Sequence, residues 1–289
     1  MQRGAPPAVN PNPTATDWSG SRGEKWSAQV TGMEATLAPI DAPLVDALRL
    51  DAPLRVADVA CGGGGTTLRI AARAPAGSVV DGFDISPHLV ESARARVGSS
   101  EAGRISFNLA DVSKALPEPP YDRLASRFGT MFFDDPPAAF ANLSRWLVPG
   151  GRFAFAVWAT QSDNPWIETV RDAVARVAPV PAFDPDGPGP FRYADVTKLT
   201  SLLAAAGLEA EDVVDVRTTL PIGGGLAPNQ AAQFALAAMS SFGELLASAG
   251  EAAATEAHRA LSERYAAHLV DGVVRLPARV HLVVGSPAR

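Results

Sequence analysis

The chain has 289 residues, 47% hydrophobic and 19% charged, enough to bury a sizeable core as one large domain or one domain with insertions. A net charge of −6 with no basic stripe argues against electrostatic binding to nucleic acid or anionic membrane. The single cysteine, Cys61, excludes an internal disulfide and a Cys-rich zinc site, and no run reaches the roughly 18 apolar residues of a membrane span.

The opening segment, MQRGAPPAVNPNPTATD, lacks the apolar centre of a signal peptide and reads as a flexible Pro/Asn-rich arm over 1–17. A cytoplasmic protein is expected, with 18–289 as a single domain. LRVADVA (54–60) is a short apolar strand that runs into four glycines, and TTLRIAARA continues from Thr66 in helical spacing. GSVVDGFDIS (77–86) is the next strand. Ser86 and Pro87 follow as N-cap and first-turn proline, with Leu89, Ala93 and Val97 on one helix face. RISFNLADV (104–112) and YDRLASRFG (121–129) are the third and fourth strands. Pro136 and Pro137 open a helix whose Phe140, Leu143 and Leu147 share a face. VPGGRFAFAVW (148–158) is a glycine turn and a strand apolar on both faces, which suits the middle of a parallel sheet.

NPWIETVRDAVARV (164–177) reads as a helix with Asn164 as cap and Ile167, Val170, Val174 and Val177 inward. A Pro/Gly-rich loop (178–191) precedes another helix that stops at Gly207. EDVVDVRTTLPI (211–222) and ARVHLVVG (278–285) are the last strands, separated by alanine-rich helix. Repeated strand–helix alternation makes this an α/β protein with a doubly wound sheet.

The glycine loop raises the question of its ligand. Glycines after a strand let backbone N–H groups approach a bound molecule. Asp58, one residue from the strand end, would repel an anionic pyrophosphate, so a cationic group fits better. A nicotinamide dinucleotide is the rival: Ala60-x-Gly62-x-x-Gly65 can be aligned to a dinucleotide fingerprint, with Asp84 at the ribose spacing. Asp58 and Asp111 stand against it.

VADVACGGGG, DGFDIS, LADV, YDRLASRFGTMFF and LVPGGRFAFAVW, in that order and spacing, resemble the motifs of class I S-adenosylmethionine-dependent methyltransferases. DWSGSRGEKW, NPW and DGVVRLPARVHLVV resemble a bacterial small-molecule subgroup of that family. Ala60 departs from the pattern, where glycine is usual.

The resemblance implies a Rossmann-like, seven-stranded sheet of order 3-2-1-4-5-7-6 with the last strand antiparallel. It implies cap insertions at about 160–192 and 221–276, and S-adenosylmethionine as cofactor. Asp58 would meet the ammonium, with Ala60, Gly62 and Gly64 in the loop beside it. The cofactor carboxylate would lie at the N-terminus of the helix beginning near Thr66. Asp84 would accept both ribose hydroxyls, Ile85 would pack on adenine, and Asp111 with the Val112 N–H would read the adenine edge. Arg127 would face the crevice or pair with an acid. Trp18 and Trp26 would fold over the cofactor or serve as core aromatics.

The expected reaction is methyl transfer to a small, largely apolar acceptor, by O- or C-methylation, such as a natural-product or prenyl-type intermediate. A non-catalytic cofactor-binding sensor or scaffold is the other class. No metal site is expected, since the four histidines and one cysteine form no ligand spacing. Glu168, in the helix after NPW, is the candidate general base; a surface ion pair with Arg171 is its alternative.

Overall fold

In the computed structural model, which describes residues 13–117 and 119–288, four helices precede the sheet: α1 (Ala15–Ser19), α2 (Ser21–Ala28), α3 (Val30–Leu37) and α4 (Asp41–Ala47). The expected flexible arm over 1–17 gives way earlier than that, because Thr14 caps α1. Its side chain accepts from the Asp17 N–H while the Asp17 carboxylate accepts from the Thr14 N–H, a reciprocal capping box. Residues 1–12 of that arm lie outside the described residues.

From Arg55 the chain alternates: β1 (Arg55–Val59), α5 (Gly65–Arg73), β2 (Val79–Asp84), α6 (Pro87–Arg94), β3 (Ile105–Leu109), β4 (Tyr121–Arg127), α7 (Pro136–Ser144) and β5 (Leu147–Trp158). These five strands are parallel and ordered 3-2-1-4-5. The second half adds α8 (Pro165–Ala175), α9 (Val196–Ala205), β6 (Leu208–Pro221), α10 (Pro228–Ala238), α11 (Ser240–Ala249), α12 (Glu251–Ala266), β7 (Leu269–Val270) and β8 (Val273–Pro287). β8 lies between β5 and β6, antiparallel to both. The two-residue β7 pairs only with β8, so the main sheet has the seven-strand order expected. This is a Rossmann-like α/β sheet, with α5 against β2, α6 against β3, α8 against β8 and α9 against β6.

The caps follow local chemistry. Ser86 accepts from the Leu89 N–H, Asp135 from Ala138 and Asp195 from Thr197, each at a helix start. The last two strands run longer than their hydrophobic patterns, beginning at Leu208 and Val273, because they pair with each other along most of their length. Main-chain pairing extends a ladder past the point where burial supports it.

Asn164 departs from its expected role. It stands at the N-cap of α8, yet its side chain makes no capping bond. Its amide donates to the carbonyls of Thr160 (2.9 Å) and Arg279 (3.0 Å), and its oxygen accepts from the Arg279 N–H (3.1 Å). The buried side chain thus ties the turn after β5 to β8. Asn164→Ala removes all three bonds of a buried side chain, so it should destabilise the protein by roughly 2–4 kcal/mol. Denaturant unfolding measures this directly; a loss below about 1 kcal/mol would show the tie to be dispensable.

Candidate functional site

Open α/β sheets bind ligands beyond the carboxyl ends of their strands, and a cavity of about 400 Å³ lies there, against the ends of β1, β2 and β4. Asp58 reaches it from β1 and is buried. One carboxylate oxygen accepts from Thr67 Oγ1 at 2.7 Å; the other, Oδ1, is buried without a partner. Desolvation, partly offset by Thr67 and Arg127, pushes its pKa up to about 7. An orphaned, half-protonated carboxylate is a receptor for a cation.

Asp84, at the end of β2, accepts one N–H from each side of the crevice: Gly62 at 2.8 Å and Ser86 at 2.9 Å. Burial raises its pKa, against those backbone donors. Each oxygen keeps a lone pair, which suits a vicinal diol. Ile85 follows it on the cavity wall. Asp111 and Val112 also line the cavity, but Asp111 is already engaged. It accepts from the Ser113 N–H (3.0 Å) and hydroxyl (2.6 Å) and from Lys114 Nζ (2.7 Å), and these bonds outweigh desolvation to hold its pKa low.

The glycine loop divides its work. A Cβ on Gly62 would meet open space, and Gly62 and Gly63 line the cavity. Gly64, expected beside the ligand, is not on the wall. It has φ +84°, and a Cβ there would come within 2.5 Å of the Phe107 ring, so this glycine serves the turn. Ala60 occupies the left-handed region at φ +55°. Its methyl leaves no room opposite: a Cβ on Gly129 would sit 2.3 Å from it.

The N-terminus of α5 is filled from within the chain. Glu34 of α3 accepts from the Gly65 N–H at 2.9 Å and from Arg96 Nη1 at 2.6 Å. The expected position of the cofactor carboxylate is therefore held by a protein carboxylate. Arg127 does both things expected of it. It lines the cavity and bonds Asp41 of α4 at 2.8 Å, with both side chains nearly buried and Thr66 Oγ1 donating to the same oxygen.

A second cavity of about 160 Å³ adjoins the first, and Trp18, Trp26, Met33, Leu37, Phe128 and Phe132 line both. Trp18 meets Trp26 edge-on at 5.7 Å and Phe132 at 5.2 Å. Residues from both expected insertions reach this second cavity, among them Trp166, Ile167 and Phe183 from the first and Met239, Phe242 and Leu245 from the second. Glu168 lines neither cavity; its carboxylate accepts from the Gln161 amide. One residue is about 100° of helix, which turns Glu168 away from Ile167. Nor does it pair with Arg171, whose guanidinium donates to the carbonyls of Pro181 (2.7 Å) and Val180 (3.2 Å).

Sequence reasoning missed Glu34, Asp41 and Phe128. The first two lie in α3 and α4, between DWSGSRGEKW and the first strand and in no motif, and act across 31 and 86 residues respectively. Phe128 has φ +66° and stacks on Trp158 at 3.9 Å with 7° between the planes. Left-handed backbone at an aromatic residue has no pattern in sequence. Among the described residues no three His, Cys, Asp or Glu side chains cluster to hold a metal, and no helix is long and apolar enough to cross a membrane.

The Ala60–Gly129 contact is testable. Gly129→Ala should cost about 1–3 kcal/mol by overpacking, and Ala60→Gly should recover at least about 1 kcal/mol of that loss. A double-mutant cycle by denaturant unfolding with no coupling would refute the contact.

Residues 56–151 match the model of a methyltransferase domain family. The chain is 34% identical over 113 residues to trans-aconitate 2-methyltransferase of Methylobacterium nodulans, covering 39% of this chain and 42% of that protein. It is 33% identical over 108 residues to the ubiquinone/menaquinone biosynthesis C-methyltransferase of Geotalea daltonii, covering 37% and 46%. The chain thus spans less than half the length of these curated relatives. The crystal structure of the [4+2]-cyclase SpnF superposes with a TM-score of 0.56 at 18% identity, over 97% of this chain and 99% of that one, a likeness of fold alone. The matched segment holds Asp58, the glycine loop, Asp84, Asp111 and Arg127, so the part of the chain that resembles the methyltransferase domain family is the part that builds the first cavity.

Proposed function

We propose that the protein transfers the methyl group of S-adenosylmethionine to a small, largely apolar acceptor held in the second cavity. The carrying observation is the contrast in lining. Among the described residues, six carboxylates (Glu34, Asp58, Asp84, Asp111, Asp134, Asp135) and two cations (Lys114, Arg127) line the first cavity, while no carboxylate lines the second. An acidic wall favours a ligand bearing ammonium and sulfonium charges and disfavours a dinucleotide pyrophosphate. Fold alone does not select transfer, since a protein named a [4+2]-cyclase shares the architecture.

The residues fit the cofactor on three counts. Asp58 offers an unpaired buried oxygen to the ammonium. Asp84 has acceptor capacity left for the ribose hydroxyls, and Ile85 with Val112 gives the adenine an apolar wall. The bound cofactor supplies an activated methyl on sulfur. The chain's part is to orient the two partners and exclude water, which the aromatic wall shared by the cavities does. Trp18, Trp26, Met33 and Leu37 come from the helices before β1, so these helices close the site.

Asp84→Ala should weaken S-adenosylhomocysteine by about 1–3 kcal/mol in isothermal titration. An unchanged dissociation constant would remove Asp84 from the site.

The Asp58 pKa sets a pH dependence. Its folded value, about 7, lies above the ordinary 3.8, so its contribution to apoprotein stability is present at low pH and is lost as pH rises toward 7. A bound ammonium favours the ionised form and displaces the proton. Affinity should therefore rise roughly fivefold between pH 6 and pH 7, below the range in which the ligand's own amino group titrates. Titration in buffers of different ionisation enthalpy should show proton release at pH 6.5, absent in Asp58→Asn. Flat affinity with no proton release would place the ammonium elsewhere.

A further inference from the structure

The methionine end of the cofactor carries an ammonium and a carboxylate on the same carbon. Asp58 answers the ammonium on the reading above, but the carboxylate has lost its expected seat. Glu34 fills the N-terminus of α5 with a carboxylate of its own, and Arg96 holds it there. A second carboxylate at that point would meet like charge. The glycine loop has little left to offer either. Four of its five N–H groups from Cys61 to Gly65 are spent: Cys61 on the Phe83 carbonyl (3.0 Å), Gly62 on Asp84 (2.8 Å), Gly64 on the Cys61 carbonyl (3.0 Å) and Gly65 on Glu34 (2.9 Å).

Among the described residues the first cavity is lined by two cations, and they are not equivalent. Lys114 is largely exposed and is bonded to Asp111 at 2.7 Å, beyond β3. Arg127 has a side chain only 10% exposed. Its Nη1 donates to Asp41 Oδ1 at 2.8 Å, an oxygen that also takes Thr66 Oγ1 at 2.9 Å. Its Nε and Nη2 make no hydrogen bond to a described residue. These two nitrogens form one edge of the guanidinium fork, the edge that matches the two oxygens of a carboxylate.

Strand register brings Arg127 beside Asp58. β1 and β4 are parallel with Asp58 opposite Ala125, and Arg127 stands two residues on, so both side chains belong to the same face of the sheet at its carboxyl edge. The two charges feel each other: burial raises the Asp58 pKa, and Thr67 and Arg127 work against it. A carboxylate and a guanidinium side by side make a receptor for a zwitterion, which brings no net charge into the site.

We propose, building on the methyl-transfer reading, that Arg127 takes the carboxylate of the cofactor's methionine end, displaced from the start of α5 by Glu34. Asp41 is then a positioning residue: it fixes Nη1 and leaves the Nε–Nη2 edge for two parallel charge-assisted bonds. The buried Asp41–Arg127 pair thereby becomes part of ligand recognition, and the helix that carries Asp41 becomes part of the site.

The test compares S-adenosylhomocysteine with decarboxylated S-adenosylhomocysteine by isothermal titration at neutral pH. The second ligand keeps the adenosine, the thioether and the ammonium, so the ratio of affinities isolates the carboxylate. S-Adenosylhomocysteine should bind roughly tenfold tighter or more. Arg127→Gln together with Asp41→Asn, which leaves neither charge buried alone, should bring the ratio to within about threefold of unity while the decarboxylated ligand keeps its affinity. Arg127→Lys, which keeps the charge beside Asp41 but not the fork, should lower the ratio severalfold and decides the matter if the double variant does not fold. Glu34→Gln should leave the ratio unchanged. Equal binding of the two ligands by the unsubstituted protein would overturn the proposal without reference to any variant. So would a ratio that survives the changes at Arg127, or one that rises in Glu34→Gln, which would seat the carboxylate at α5. Failure to bind either ligand would instead overturn the methyl-transfer reading on which the proposal rests.

Discussion

One pair of hydrogen bonds organises the site: Asp84 accepts from Gly62 on one side of the crevice and from Ser86 on the other. Through Gly62 it fixes the loop that leaves β1, and through Ser86 it fixes the start of α6, where the same serine caps the helix. A buried carboxylate needs such donors, because desolvation otherwise drives it to the neutral form. Parallel β1 and β2, with Val59 beside Phe83, bring both loops out at the same edge. The cavity exists because that edge must open around a carboxylate that cannot be packed with apolar groups.

Around this centre the chain separates charge by cavity. The first cavity is acidic and uses backbone donors; the second is aromatic, and among its described lining residues the charged ones are cations. Arg127, on the wall of the first cavity, and Asp41 behind it form a nearly buried pair, with Thr66 completing the bonding of Asp41. Removing one partner would leave the other charge buried and uncompensated, which costs more than the pair itself contributes. The pair therefore acts as a constraint, joining α4 to the strand that carries Arg127.

Most of the fold was legible because hydrophobic period and caps agree in the first half. The strand at 54–60, the Ser86–Pro87 start and the proline pair at 136 and 137 all fall where the elements form. Asp58 was legible from its place before the glycine loop, and Asp84, Ile85, Asp111, Val112 and Arg127 through the resemblance of their motifs; all six line the cavity. Glu168 was read outward-in: its helix was correct, but which face meets the cavity depends on packing against β8 and the 178–191 loop, which no local pattern states. Gly64 looked like a ligand contact and is a packing contact, set by Phe107 from a distant segment. Of the helices before β1 only the covering role of Trp18 and Trp26 was read; the helices themselves were not, because their role is tertiary. They cover an edge whose existence is known only once the sheet is formed.

Phe128 shows where that coverage is anchored. A bulky residue at φ +66° costs roughly 1–2 kcal/mol, so the surrounding structure must hold it there. The holding groups are visible. The Phe128 N–H donates to the Ala156 carbonyl at 2.9 Å, and the ring lies flat on Trp158, itself against Trp166 at 4.9 Å. Relaxing the backbone would swing the ring off Trp158 and away from the boundary between the cavities. Ala60, Phe128 and Gly129 thus form one unit, in which two left-handed residues and one missing side chain let the ends of β1 and β4 approach. Strain at Ala60 brings the loop to Asp84, and strain at Phe128 holds an aromatic face on the wall shared by the two cavities. The sheet's rigidity bears both, and it does so at the edge where reacting groups must be held still.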